Sequence, residues 1–196
     1  MARKYTELTF TDSVKEAQTR YGSRATAAKI EAWDIDDEHL TAREREFIAE
    51  RDSFYMATVG EDGWPYVQFR GGPIGFLKAI DEKTLGYADY RGNRQYISMG
   101  NLRADDRVAL FFMDYPGRQR LKLMARTEVV DARDKPELIE KLHDPDYKAL
   151  VERAVLFHVV AFDWNCPQHI TPRYTASEWE AYGVRHPAAP NRRQGV

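Results

Sequence analysis

Residues 84–101 read TLGYADYRGNRQYISMGN, and the pattern of this stretch sets how the chain around it must fold. Its first seven residues alternate. Leu85, Tyr87 and Asp89 face one side of a strand, and Gly86, Ala88 and Tyr90 the other. Arg91-Gly92 turns the chain, and Asn93 predicts a helix N-cap ahead of Arg94, Gln95, Tyr96 and Ile97. A strand that turns through glycine into a helix start aims amide N–H groups and the positive end of the helix dipole at one spot, which suits an anion. Arg94 adds a planar charged fork for phosphate oxygens, and Asn93 and Gln95 add neutral donors. A surface turn with a solvated arginine has the same local pattern, so this stretch alone does not separate the two.

Period-two segments surround it. SFYMATV from Ser53 reads as a strand, Glu61-Asp62-Gly63 as a hairpin turn, and Pro65 to Arg70 as the return strand. Gly71-Gly72-Pro73-Ile74-Gly75 breaks the pattern, Phe76 to Ile80 resumes it, and Asp81-Glu82-Lys83 turns into the stretch quoted above. Downstream, Arg94 to about Leu102 reads as a helix, Arg107 to Asp114 and Gln119 to Val130 as strands, and Asp134 to His143 as a helix. Pro145 to Arg153 suggests a second short helix, and Ala154 to Trp164 the last strand. Upstream, Asp12 to Arg20 and Ala25 to Trp33 suggest short helices without a broad apolar face, to be laid on the main domain or on a partner. Thr41 and Glu44 have capping-box spacing ahead of a helix whose core contacts are Phe47 and Ile48. A helix near Glu178 to Tyr182 and a frayed end complete the chain. The expectation is a mainly β fold with peripheral helices, a small closed or split barrel. It forms one domain spanning residues 1–196, with 1–40 as a helical N-terminal arm and 165–196 as a C-terminal tail.

Composition narrows the classes. A net charge of −2 gives no argument for nucleic acid or membrane partners. A single cysteine, Cys166, excludes an internal disulfide framework and fits a reducing compartment. The opening MARKYTELTF has no apolar core of a signal peptide, and no run has membrane-spanning length, so a soluble cytoplasmic protein is expected. His39, His143, His158, His169 and His186 share no metal-ligand spacing, so no metal site is expected. Cys166 beside Pro167 is either a reactive thiol or a small packing residue. In RGGPIGF, from Arg70 to Phe76, adjacent glycines either admit a flat ligand or another chain, or serve a loop that needs positive φ. Lys78 lies near the Arg94 end of its hairpin or at the opposite one.

Together, FYMATVGEDGWPYVQFRGGP, FLKAIDEKTLGYADYRGNRQYISMGNL and RVALFFMDYPGRQRLKL resemble the pyridoxamine phosphate oxidase-like flavin-binding family. The similarity runs from about Phe47 to Arg173. It is nearest to a branch of flavin-nucleotide-binding proteins in which R-G-G-P, G-N-R-Q and C-P-Q-H-I recur. The resemblance implies a split β-barrel that binds FMN at a homodimer interface. Arg70 and Lys78 then approach phosphate and ribityl chain, Gln68 and Gly71 join them as cofactor-binding residues, and Tyr87 and Ala88 lie on the strand passing the flavin. Asn93, Arg94 and Gln95 form the phosphate turn, Gln119 reaches the flavin from the partner, and Cys166, Pro167, Gln168 and His169 close over the ring. The chain departs from the true oxidase: Arg91 is added before the turn glycine, Gln95 replaces a lysine, and the C-terminal arginine-x-histidine that holds the vitamin is missing.

Two functions follow. One is an FMN-dependent oxidoreductase, exchanging electrons with a small-molecule donor or acceptor, in which the protein binds and orients the flavin. No catalytic residue is assigned; His169 is the candidate for proton transfer, with a structural histidine bonded to the flavin edge as the equal alternative. The other is a protein that holds flavin or haem without turnover.

Overall fold

Alternating burial turns the period-two segments into seven strands in a computed structural model that describes residues 3–181. They are β1 (Ser53–Val59), β2 (Pro65–Gly71), β3 (Lys78–Ala79), β4 (Thr84–Tyr90), β5 (Arg107–Asp114), β6 (Gln119–Asp131) and β7 (Val151–Trp164). All neighbours are antiparallel, in the order β2-β1-β5-β6-β7-β4-β3. The sheet curls without closing, so the expected split barrel has β2 and β3 as its edges.

The longest strand makes the curl. β7 pairs with β6 along nearly its whole length, but with β4 only from Val151 to His158. Between Ala125↔Val159 and Met124↔Ala161 the register shifts, leaving Val160 as an extra residue. Such a bulge bends a strand and increases its twist. The bend lets both halves of the sheet face one core. Phe54 of β1 sits at its centre, with ring centroids of Phe76, Tyr87, Phe112 and Phe157 at 5.7, 5.8, 5.5 and 6.0 Å.

Helices cover the outside. α1 (Lys4–Thr9), α2 (Asp12–Arg20) and α3 (Arg24–Glu31) form the N-terminal arm, followed by α4 (Ala42–Ala49). α5 (Ile97–Ala104) follows β4, α6 (Pro136–Leu142) precedes β7, and α7 (Ala176–Ala181) closes the described chain. The arm lies on its own domain. Buried Asp37 accepts hydrogen bonds from the Lys4 and Tyr5 amides at 2.9 and 3.0 Å and pairs with Arg3, which also reaches Asp163 of β7 at 2.8 Å. The capping box at α4 forms as expected: the Thr41 amide donates to Glu44 at 3.0 Å, and Phe47 and Ile48 enter the core. Glu44 also accepts a 2.7 Å hydrogen bond from the Trp164 indole.

Two expectations are corrected. Residues 145–150 form no helix, because the Arg91 amide donates to the Leu150 carbonyl at 2.8 Å and draws the chain into an extended path. β7 therefore starts at Val151. The strand expected from Phe76 shrinks to Lys78–Ala79, because the Phe76 amide closes a turn onto the Pro73 carbonyl. The expectations for Tyr182, His186 and the last ten residues lie outside the described residues.

Burial pushes the Glu44 carboxyl up, but hydrogen bonds from Thr41 and Trp164 outweigh it and hold the group below its ordinary value. A depressed carboxylate adds stability above its unfolded pKa and loses it as pH falls through the folded one. Glu44→Gln should therefore be less stable than wild type at neutral pH, with the gap closing in acid below the ordinary glutamate range. Urea unfolding at a series of pH values measures this, and a gap independent of pH would refute it.

Candidate functional site

The turn after β4 opens onto a cleft of about 190 Å3. One wall is β2, whose period-two alternation turns Gln68 and Arg70 to the cleft while Val67 and Phe69 face outward. The floor holds Asp89 and Tyr90 from β4 and Glu152 and Arg153 from β7; Asp89 lies opposite Arg153 in the ladder. The remaining side is the turn itself, with Gly92, Asn93, Arg94 and Tyr96, and the first turn of α5, Ile97 to Met99. Amides in a first helical turn have no intrahelical acceptor, so they and the helix dipole favour an anion here.

Charge dominates the cleft. Asp89 is only 6% exposed and accepts from Arg70 at 3.4 Å on one oxygen and from Arg153 at 3.3 Å on the other. Charge-assisted bonds are usually nearer 2.7–2.9 Å (about that range), so both guanidinium groups are held loosely. Burial pushes the Asp89 carboxyl above its ordinary value against the pull of the two arginines. The buried Arg70 Nε has no partner among the described residues. Glu152 is well supplied by contrast: Arg91 at 2.9 Å, Tyr96 hydroxyl at 3.1 Å and Arg153 at 2.6 Å hold it, and the Arg91 hydrogen bond leads in lowering its pKa. Arg153 also lies 5.1 Å from the Tyr96 ring centre. Ser98 donates to Gln68 at 2.9 Å, tying α5 to β2.

The turn is not built as the sequence suggests. Asn93 does not cap the helix, because its side chain accepts from the Gln95 amide at 3.1 Å in a local turn. Arg94 and Tyr96 both have left-handed backbones, with φ of 61° and 54°, and the helix starts only at Ile97. Left-handed non-glycine residues cost about 1–3 kcal/mol each and gather at binding sites.

The cleft thus unites Gln68, Arg70, Asn93 and Arg94 of the expected set. The others lie elsewhere. Lys78 donates to the carbonyls of Lys141 and His143 at the end of α6, at 2.9 and 3.4 Å, so its charge is held away from the cleft. Tyr87 is buried in the core, stacked on Phe157, and its hydroxyl has no partner among the described residues. Ala88 is buried on the other side of β4 with Leu142 and Ala154. Gln95 is exposed outside the cleft lining. Gly71 is crowded by the Phe69 ring, 2.8 Å from where a Cβ would stand, so close packing and not positive φ explains this glycine. Gln119 begins β6, and the neighbouring Arg120 donates to the Cys166 carbonyl at 3.3 Å. Gln119 and the segment Cys166, Pro167, Gln168 and His169 therefore gather at the β5–β6 hairpin, outside the cleft lining.

Asp89, Glu152, Arg153, Tyr96 and Ser98 are cleft residues that pattern reading did not select. For Asp89 the signal was an acid aligned with Leu85 and Tyr87 on the inward face of a strand. Arg153 needs the β4–β7 register, which no local pattern carries. Among the described residues no group of three or more His, Cys, Asp or Glu is placed to hold a metal, and no helix is long and apolar enough to cross a membrane.

The sequence matches the family model of pyridoxamine 5'-phosphate oxidase over residues 40–160. No curated protein sequence matches significantly. Among solved structures, HupZ of Group A Streptococcus is similar at 16% identity and a TM-score of 0.52, over 69% of this chain and 99% of that one. A Lactobacillus delbrueckii protein described as a candidate pyridoxamine 5'-phosphate oxidase is similar at 20% identity and 0.51, over 66% and 97%. These likenesses show a common fold.

At a left-handed position a Cβ costs about 1–2 kcal/mol. Arg94→Gly should thus be more stable than Arg94→Ala by about 1 kcal/mol. Paired urea titrations check this, and equal midpoints would show that the turn relaxes when the arginine is lost.

Proposed function

The chain belongs to the pyridoxamine 5'-phosphate oxidase family, and from that premise we propose that it binds FMN and acts as a flavin-dependent oxidoreductase in the cytoplasm. The observation that carries the flavin reading is the convergence of Arg70, Arg94 and Arg153 with the α5 N-terminus on one small cleft. The residues fit a phosphomonoester: it carries about −1.5 to −2 charges at neutral pH, and the buried Arg70 Nε lacks an acceptor. The single cysteine suits a reducing compartment.

Size limits what one chain does. Cofactor pockets usually span about 300–1,000 Å3, and this cleft has about 190 Å3. It suits the phosphate and the adjoining polyol, so the ring system needs further walls. The outer face of β1 and β2 exposes Tyr55, Val67 and Phe69, the last two by 61% and 58%. Exposed apolar patches of this kind mark interaction surfaces. A two-fold homodimer would bury this face twice and make two equal sites, with Gln119 and the Cys166–His169 segment available to the partner's flavin. Arg70, Arg94 and Arg153 would hold the phosphate and Gln68 the polyol, while His169 remains the candidate for proton transfer. Hydride or electron transfer is the chemistry that bound FMN would supply.

The visible spectrum of purified protein tests the ligand: paired flavin bands are expected, and a Soret band would instead indicate haem. Arg94→Ala should weaken FMN binding by about 1.5–3 kcal/mol, the range for hydrogen bonds to charged groups. Riboflavin, which lacks phosphate, should bind poorly and be indifferent to that change; equal losses for both ligands would sink the assignment.

Light scattering should give about twice the 22.7 kDa chain mass. FMN at a hundredfold excess over Kd should stabilise the fold by about 2.7 kcal/mol. A monomer that binds FMN one-to-one at full affinity would refute the shared site.

A further inference from the structure

Asp89 is an odd residue for a phosphate cleft. It lines the cleft and is buried, and it already occupies the two guanidinium groups that an incoming anion needs. Resting on the FMN reading above, we propose that Asp89 is a proton-linked competitor in this cleft: it competes with the phosphate for Arg70 and Arg153, and binding is coupled to its protonation.

The charges of the lining support this. Three arginines, Arg70, Arg94 and Arg153, face two carboxylates, Asp89 and Glu152, leaving one net positive charge. A phosphate dianion reverses that sign, and one proton on a carboxylate restores neutrality. Glu152 does not take that proton. It is held by Arg91, Tyr96 and Arg153, and its pKa is lowered, first by the Arg91 hydrogen bond. Among the described residues Asp89 has two long contacts, and burial raises its pKa even before a second anion arrives. The groups facing Asp89 are Arg70 from β2, Arg153 and Glu152 from β7, and Tyr87 from its own strand. A phosphate beside it adds like-charge repulsion in the same poorly hydrated space, which raises a carboxyl pKa further. The proton comes from solvent and rests on a carboxylate oxygen. Both guanidinium groups are then free to turn to the phosphate, and the unpartnered Arg70 Nε gains an acceptor.

The direction with pH follows. Above the Asp89 pKa the wild-type carboxylate opposes the phosphate; below it, the neutral acid does not. Asp89→Asn keeps the shape and an acceptor oxygen but removes the charge. Calorimetric titration with FMN should show Asp89→Asn binding at least about tenfold tighter than wild type near pH 8, the scale of one like charge a few ångströms away. The ratio should shrink as pH falls and the wild-type acid becomes progressively neutral. Riboflavin should show no such difference. Titrations in buffers of different ionisation enthalpy should show wild type taking up a fraction of a proton near neutral pH, and Asp89→Asn not.

Equal proton uptake in both proteins would assign the proton to another group, the FMN phosphate included, and overturn the proposal. So would Asp89→Asn binding FMN no more tightly than wild type near pH 8. If the variant does not fold, the wild-type titration still decides: no uptake, or release, overturns the proposal. Losses at Arg70→Ala and Arg94→Ala without a gain at Asp89→Asn would refute the role of Asp89 alone. If neither arginine variant loses FMN affinity, the phosphate reading fails with it.

Discussion

Strand β2 lies at one edge of the sheet and β4 beside the other edge, and no backbone ladder joins them. Asp89 joins them by charge, with Arg70 on one side and Arg153 on the other. This contact spans the gap between the two ends of the curled sheet. Buried ion pairs are poor sources of net stability, since desolvation offsets most of their attraction, but losing one partner is costly. An apolar contact could have closed this side of the core more simply. The chain instead keeps three buried or half-buried charges where the curl leaves a gap. That arrangement makes sense where an anion must enter and the fold must tolerate the site both with and without it.

The same economy explains the turn after β4. Two left-handed residues flank Gln95, and neither is glycine. Glycine at position 94 would relieve the backbone but remove a guanidinium from the cleft. At position 96 it would remove the ring beside Arg153 and the hydroxyl that holds Glu152. Holding Glu152 matters for Asp89: an engaged, low-pKa Glu152 leaves Asp89 as the carboxylate that responds when charge enters the cleft.

Much of this fold was legible locally. The hairpin at Asp62-Gly63, the capping box at Thr41 and Glu44, and the inward alternation of Leu85, Tyr87 and Asp89 each depend on residues close in sequence. What escaped depends on distant partners. α1 is held by Asp37, more than thirty residues away, and by Asp163, 160 residues from Arg3. Helical expectation for 145–153 failed because Arg91, far upstream, captures the Leu150 carbonyl. That one error hid Arg153, which a helix would have placed off the sheet. The turn after β4 stands out in sequence through its glycine and clustered donors, although its backbone departs from the expected cap. Lys78 shows the reverse: a basic residue on the neighbouring strand looks equivalent in sequence, yet it serves the end of α6.

β2 carries the remaining constraint. Its period of two puts Gln68 and Arg70 in the cleft and Val67 and Phe69 on the open face, so a polar site and an apolar surface are two sides of one strand. A shift of one residue in its pairing with β1 would exchange them. β2 is also a sheet edge, where unpaired backbone invites another chain unless something covers it. A second copy seated on the open face would protect that edge and fix the register that aims Arg70 inward. In the proposed dimer, assembly and cofactor binding are thus linked through the alternation of a seven-residue strand. Substitutions on the outer face at Val67 or Phe69 would then act on the phosphate site without touching it.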